Sequence, residues 1–153
     1  MTKALLQLVS AAIFCIVAVH VFAAPADEVA ATIPERARAF SEGNLEGYVE
    51  AFADNAVVTT AVQGFRLEGK QAIRQYFSEA FQNYPKRKFS ARQAASRSYN
   101  DDTVIQNVYG ILTMTDEQGV TKSMPIRLSI LWAKISGRWR VVQQHGSVAP
   151  GME

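Results

Sequence analysis

The sequence predicts an α+β fold built as one domain, and three observations carry that expectation. An apolar leader opens the chain, helical spacing of apolar residues dominates the stretch after it, and four long strand-like runs separated by turn residues fill the second half. Helices first and an antiparallel meander afterwards is the order of an α+β domain.

Met1, Thr2 and Lys3 give a short positive start, and Ala4 to Phe22 is apolar apart from Gln7, Ser10 and His20. Val21-Phe22-Ala23 offers small residues where a signal peptidase reads, so residues 1–23 are expected to be a secretory signal peptide. An apolar run of about 20 residues can also span a bilayer. The Ala-rich exit, however, passes into polar sequence without a cationic stop. The expectation is an exported protein, periplasmic or secreted, with one domain over residues 24–153 and no membrane attachment after cleavage. That length suits a single core.

The only cysteine, Cys15, leaves with the leader, and so does His20, which makes His145 the single imidazole of the mature chain. A disulfide, a thiol nucleophile and a His/Cys metal cluster are thereby excluded. No cofactor is implied, since neither a Gly-rich phosphate loop nor a dinucleotide fingerprint is present. The whole chain carries 16 Lys and Arg against 14 Asp and Glu, and only Lys86-Arg87-Lys88 is clustered. That triplet reads as a solvated loop, and nothing suggests a nucleic-acid surface.

Along the chain, Val29, Ala30, Ile33, Ala37 and Phe40 recur at helical spacing from Asp27 to Ser41, with Glu35, Arg36 and Arg38 expected in water. Glu42-Gly43-Asn44 stops this helix and caps a second, Leu45 to Ala53, which places Tyr48, Val49 and Phe52 on one side. Asp54-Asn55 ends it, and Ala56 to Ala61 reads as a Val/Thr-rich strand with which Phe65 to Glu68 can pair. Gly69 opens a third helix with the stripe Ile73, Tyr76, Phe77, Ala80 and Phe81, and Pro85 terminates it. Strands are expected over about Phe89 to Tyr99, Thr103 to Thr115, Val120 to Lys134 and Trp139 to Val148.

Three short helices, an interrupting strand pair and a meander ending in Trp139-Arg140-Val141-Val142-Gln143-Gln144-His145-Gly146-Ser147 resemble the nuclear transport factor 2-like superfamily. Its other local marks are Phe52-Ala53-Asp54-Asn55-Ala56-Val57 and Leu67-Glu68-Gly69-Lys70-Gln71-Ala72-Ile73. Together they look most like small bacterial SnoaL-like proteins and the related kinase II association domains, over Ala26 to Pro150. The resemblance implies a cone of three helices packed on a curved, mostly antiparallel sheet, and a homodimer formed through the sheet face. The superfamily holds isomerases, dehydratases, cyclases, epoxide hydrolases and binding modules, so the fold names no reaction. Gly110, Ile130 and Gly146 align with arginines of the association-domain pocket, a departure from that pattern.

Strand register decides which side chains share the cavity wall, because they alternate between faces. A two-residue turn at Ser136-Gly137 would set Leu128 opposite His145, and pairing Thr115 with Val120 would set Asn107 opposite Leu128. One face would then gather Leu128, Ile130 and Trp132 with the polar residues Asn107, Tyr109, Gln143, His145 and Ser147. An apolar wall with a small polar group suits an apolar ligand. The opposite face would carry Gln106, Val108, Gly110, Leu112, Arg127, Ser129, Leu131, Arg140, Val142 and Gln144. A β-bulge near Gly110 or Pro125 would bring Arg127 into the pocket instead.

His145 is the candidate general acid or base, with Tyr109, or Tyr48 from the second helix, as the group polarising a carbonyl. A histidine satisfied by Ser147 or a backbone carbonyl is the equally simple structural alternative. No carboxylate is expected at the centre of a long strand, which disfavours ketosteroid-isomerase-like chemistry, and inward carboxylates flanking an arginine, as in epoxide hydrolases, are not seen. The expected function is therefore binding of a small, largely apolar molecule by Asn107, Tyr109, Gln143, His145, Ser147, Tyr48, Trp132 and Leu128. A His/Tyr-assisted isomerase, dehydratase or cyclase and an oligomerisation module are the alternatives.

Overall fold

A computed structural model describes residues 23–62 and 64–149. The signal peptide expected over residues 1–23 lies, but for Ala23, outside the described residues. The elements run α1 (Pro25–Glu42), α2 (Leu45–Glu50), β1 (Phe52–Thr59), β2 (Leu67–Glu68), α3 (Gly69–Asn83), β3 (Lys86–Asn100), β4 (Thr103–Thr115), β5 (Thr121–Ile135) and β6 (Arg138–Val148). One six-stranded sheet in the order β2-β1-β6-β5-β4-β3 is antiparallel throughout, except that β1 runs parallel to β6.

Local chemistry accounts for the helix ends. Pro25 opens α1, where its missing N–H costs nothing. Gly43, in the left-handed region at φ 80°, closes it. Asn44 Oδ1 accepts from Gly47 N at 2.9 Å and caps α2. The second helix stops at Glu50, earlier than its sequence suggests. Phe52 to Asn55 belong instead to β1, whose register against β6 shifts between Phe52 and Val57.

The core lies between the helices and the inner face of the sheet. Val29, Val49, Phe52, Val58, Ile73, Val104, Trp132 and Val141 are buried there, each contributing about 1.5–3 kcal/mol through the surface it removes from water. Tyr48 stands at the centre of an aromatic cluster, its ring 4.7 Å from Phe77, 5.5 Å from Phe40 and 5.7 Å from Phe52. Edge-to-face contacts of this kind add to plain area burial.

Two ionic latches tie helices to the sheet. Glu28 accepts from Lys134 Nζ and Trp139 Nε1, both at 2.7 Å, joining the start of α1 to the β5-β6 hairpin. Glu50 holds Arg140 Nη2 at 2.6 Å and Lys70 at 3.6 Å. Both carboxyls are held below the ordinary value of 4.5, Glu28 by the bonds from Lys134 and then Trp139, Glu50 mainly by the bond from Arg140. As pH falls through that value, the unfolded chain takes up these protons before the folded chain does. Their stabilisation is complete above the unfolded pKa and is lost as pH drops through the lower folded pKa. Urea midpoints should therefore fall between pH 7 and about pH 3.5, and a Glu28→Gln/Glu50→Gln variant should show a lower midpoint at pH 7 with a shallower fall. An equally steep fall in that variant would assign the acid sensitivity to other groups.

Arg87 corrects the solvated-loop expectation for Lys86-Arg87-Lys88. Lys86 and Lys88 are exposed on β3, but Arg87 is only 7% exposed. Its Nη1 donates to the carbonyls of Phe81, Tyr84 and Pro85, at 3.3, 2.7 and 3.3 Å, and its guanidinium lies 3.7 Å from the Phe81 ring centre. The side chain caps the C-terminal end of α3, where carbonyls lack helical partners. Burial holds its pKa below the ordinary arginine value.

Candidate functional site: a cavity between the helices and the inner sheet face

The two meander turns set which residues reach the cavity. Ser136 and Gly137, at φ 48° and 75°, make the expected two-residue turn, pairing Lys134 with Trp139 and Trp132 with Val141. The turn before β5 is one residue longer on its β5 side than expected. Asp116 Oδ1 accepts from Gln118 N and Val120 N, Gly119 takes φ 82°, and Val120 stays in the loop, so Thr115 pairs with Thr121. A bulge in β6 then inserts Val142 between the pairs Trp132–Val141 and Leu131–Gln143. Each shift of one residue exchanges the two faces of a strand.

The consequence is a correction to the expected wall. The row Asn107–Ser129–His145 and the row Tyr109–Arg127–Ser147 lie on the outer face. Asn107, Tyr109, Arg127, Gln143 and His145 are exposed there, and Ser147 is half-buried. The polar group is gathered as the sequence suggested, since Ser129 Oγ donates to Asn107 Oδ1 at 2.9 Å and Arg127 Nε to Ser147 Oγ at 2.8 Å. It is gathered on the face away from the cavity. Arg127 likewise stays outside, because the shift opposite Gly110 falls on β3, and β4 and β5 pair without a shift from Thr103 to Thr115.

Tyr48, Leu128 and Trp132 do line the cavity. Gln106, Val108, Leu112 and Gln144, expected on the opposite face, line it too, and Gly110 and Gly146 are buried on the same side. The cavity holds about 200 Å³. Its helical wall comes from α1 (Ile33, Arg36, Phe40), α2 (Tyr48) and α3 (Tyr76, Phe77, Phe81), its sheet wall from β3 to β6, and Thr60, Ala61 and Val62 contribute from the turn after β1.

A polar strip crosses this apolar chamber. Arg36 Nη2 donates to Gln144 Oε1 at 2.6 Å and to Tyr48 Oη at 3.2 Å. Trp132 Nε1 donates to Gln106 Oε1 at 3.3 Å, and Thr60 Oγ1 lies 3.1 Å from Tyr76 Oη. Gln106 and Gln144 are 1% and 5% exposed. The strip can orient a polar substituent while the aromatic walls hold an apolar body. It offers hydroxyl, amide, indole and guanidinium groups, and among the described residues no carboxylate or histidine lines the chamber. Among the described residues no His/Cys/Asp/Glu group is arranged to hold a metal.

Sequence reasoning missed Arg36, which was expected in water. The signal was present: Ile33, Arg36, Ala37 and Phe40 follow the i, i+3, i+4, i+7 spacing of one helical stripe, so an arginine within that stripe faces whatever the stripe faces.

A curved, open, mostly antiparallel sheet embraced by three helices, with an apolar chamber between them, defines the cone-shaped class of α+β domains. The SnoaL-like domain family matches residues 29–151, and the chain belongs to it. Solved structures of the same architecture include a proposed calcium/calmodulin dependent protein kinase II association domain from Xanthomonas campestris, 23% identical, with a TM-score of 0.74 over 82% of this chain and 88% of the other. A nuclear transport factor 2-like superfamily protein from Salmonella enterica serovar Typhimurium is 18% identical, with a TM-score of 0.74 over 84% of this chain and 94% of its own. A proposed aromatic ring hydroxylase from Novosphingobium aromaticivorans is 16% identical, with a TM-score of 0.75 over 83% and 90% of the two chains. At these identities the likeness is one of fold. No curated protein matches the chain.

Proposed function

We propose that this is an exported, homodimeric binding protein whose chamber takes up a small, largely apolar molecule. The observation that carries the reading is the chamber itself: about 200 Å³ walled by aromatic and aliphatic side chains, with a single polar strip through Arg36, Tyr48, Gln144 and Gln106. An apolar space of that size is sufficient for a ring-sized ligand, since a cavity of about 150 Å³ already binds benzene. Among the described residues the lining holds neither a carboxylate nor an imidazole, since His145 is on the outer face. A histidine-dependent isomerase or dehydratase is thereby disfavoured.

Export rests on the leader, and the helical hydrogen bonds beginning at Ala24, whose carbonyl accepts from Asp27 N and Glu28 N, are consistent with a domain that starts directly after a cut at Ala23. Dimerisation rests on the outer sheet face, where exposed Tyr109 and half-buried Ile105 and Leu131 accompany Asn107, Ser129 and His145. Native mass spectrometry of protein from a periplasmic extract tests the reading. A dimer of chains cut after Ala23 and carrying added small-molecule mass is expected; His145→Ala should keep that mass and Ala80→Phe, which narrows the chamber because Ala80 of α3 also lines it, should lose it. An uncut chain, a monomer, or mass retained by Ala80→Phe would each count against the corresponding part.

A further inference from the structure

Arg36 is a cation without a counter-ion at the wall of an apolar chamber. Among the described residues no carboxylate oxygen lies within 4.0 Å of it, whereas Lys70, Arg66, Arg74, Lys134 and Arg140 all have one. Its Nη2 is used by Gln144 and Tyr48, Nε is buried with no acceptor, and Nη1 makes no hydrogen bond among the described residues. The guanidinium lies 4.8 Å from the ring centre of Tyr48 and 5.0 Å from that of Phe52. Those faces stabilise the positive charge and leave its N–H groups unanswered. Arg36 is half-buried, and a charge partly withdrawn from water is normally paired.

Arg87 shows what a purely structural arginine looks like in the same chamber. Its Nε is likewise buried without an acceptor, but three carbonyls at the end of α3 occupy its Nη1 and give it the role of capping that helix. Arg36 caps nothing. It is held in place by two neutral acceptors, each of which fixes the guanidinium without neutralising it.

We infer that the chamber's ligand is a small organic acid, one carboxylate on an apolar body of about one ring, with Arg36 as the group that binds the carboxylate. Nη1 supplies the charge-assisted donors, which are the strongest hydrogen bonds a neutral analogue would forfeit. Tyr48 and Gln144 hold the guanidinium in position, and the aromatic walls take the body. This rests on the chamber being a binding site, as proposed above.

Isothermal titration calorimetry of the purified protein with 3-phenylpropanoate and with its neutral counterpart 3-phenylpropan-1-ol separates the two ideas. The acid is expected to bind at least about tenfold more tightly than the alcohol. In Arg36→Met that advantage should vanish while the alcohol still binds. Equal affinity of acid and alcohol for the unaltered protein would overturn the anion inference and leave the chamber as a site for neutral apolar molecules. Absence of binding by both would overturn the chamber reading together with the inference. An acid preference that survives in Arg36→Met would assign the carboxylate to another residue. The comparison on the unaltered protein decides the ligand class even if Arg36→Met does not fold.

Discussion

Trp132→Ala is expected to lower the unfolding free energy by about 3–5 kcal/mol, the range for truncating a large buried aromatic. Trp132 is 1% exposed, sits on an inner strand of the meander, and is flanked in register by Val104 and Val141, both fully buried. Removing the indole opens a void next to the chamber and takes away the donor to Gln106 Oε1, in a residue only 1% exposed. An unsatisfied buried amide adds to the cavity cost. Trp132→Phe keeps most of the volume and loses chiefly the hydrogen bond, so a loss of about 1–2 kcal/mol is expected. Urea unfolding at pH 7, followed by circular dichroism, measures both. A loss under about 1 kcal/mol for Trp132→Ala would mean that the residue does not anchor the inner wall.

That anchor was legible in the sequence, while much of the wall around it was not. The inward residues of β5 read correctly because Ile126, Leu128, Ile130 and Trp132 alternate cleanly with Arg127 and Ser129. In β4, Val104, Ile105, Val108, Ile111 and Leu112 place apolar residues on both faces, so alternation cannot choose between them and the choice falls to the turn. The turn, in turn, depends on Asp116 accepting two backbone N–H groups and on Gly119 adopting a positive φ, which together hold Val120 in the loop. The bulge at Val142 has no marker of its own in Arg140-Val141-Val142-Gln143, and it alone decides that Gln144 faces inward and His145 outward. Element order, the α3 stripe, most of the α1 stripe (Ala30 is exposed), the Gly43 stop and the Ser136-Gly137 turn depend on neighbours in sequence, and they emerged as expected. The polar strip depends on two one-residue shifts and on an arginine within an apolar stripe, which local pattern does not weigh.

Gly110 marks the place where β3 comes too close to β4 for any side chain. A Cβ added there would lie 2.5 Å from Ser90 O, 2.7 Å from Phe89 Cζ and 3.0 Å from Ala91 Cα. Two of those three atoms are backbone of the neighbouring strand, directly before the register shift between Ala91 and Gln93, so they cannot rotate aside as a flexible side chain would. Phe89 lines the chamber, and the missing side chain at Gly110 is the space its ring tip occupies. Gly110→Ala should therefore cost about 2 kcal/mol and Gly110→Val about 3 kcal/mol or more, because overpacking here displaces backbone as well as a ring. Replacing Phe89 by Leu removes the ring contact but leaves Ser90 O in the way, so Phe89→Leu/Gly110→Ala should recover only part of the alanine penalty. Strict additivity of the two substitutions would show that the ring and the glycine do not touch. Full recovery would show that the backbone of β3 yields freely, and the chamber's sheet wall would then be softer than its strand spacing indicates.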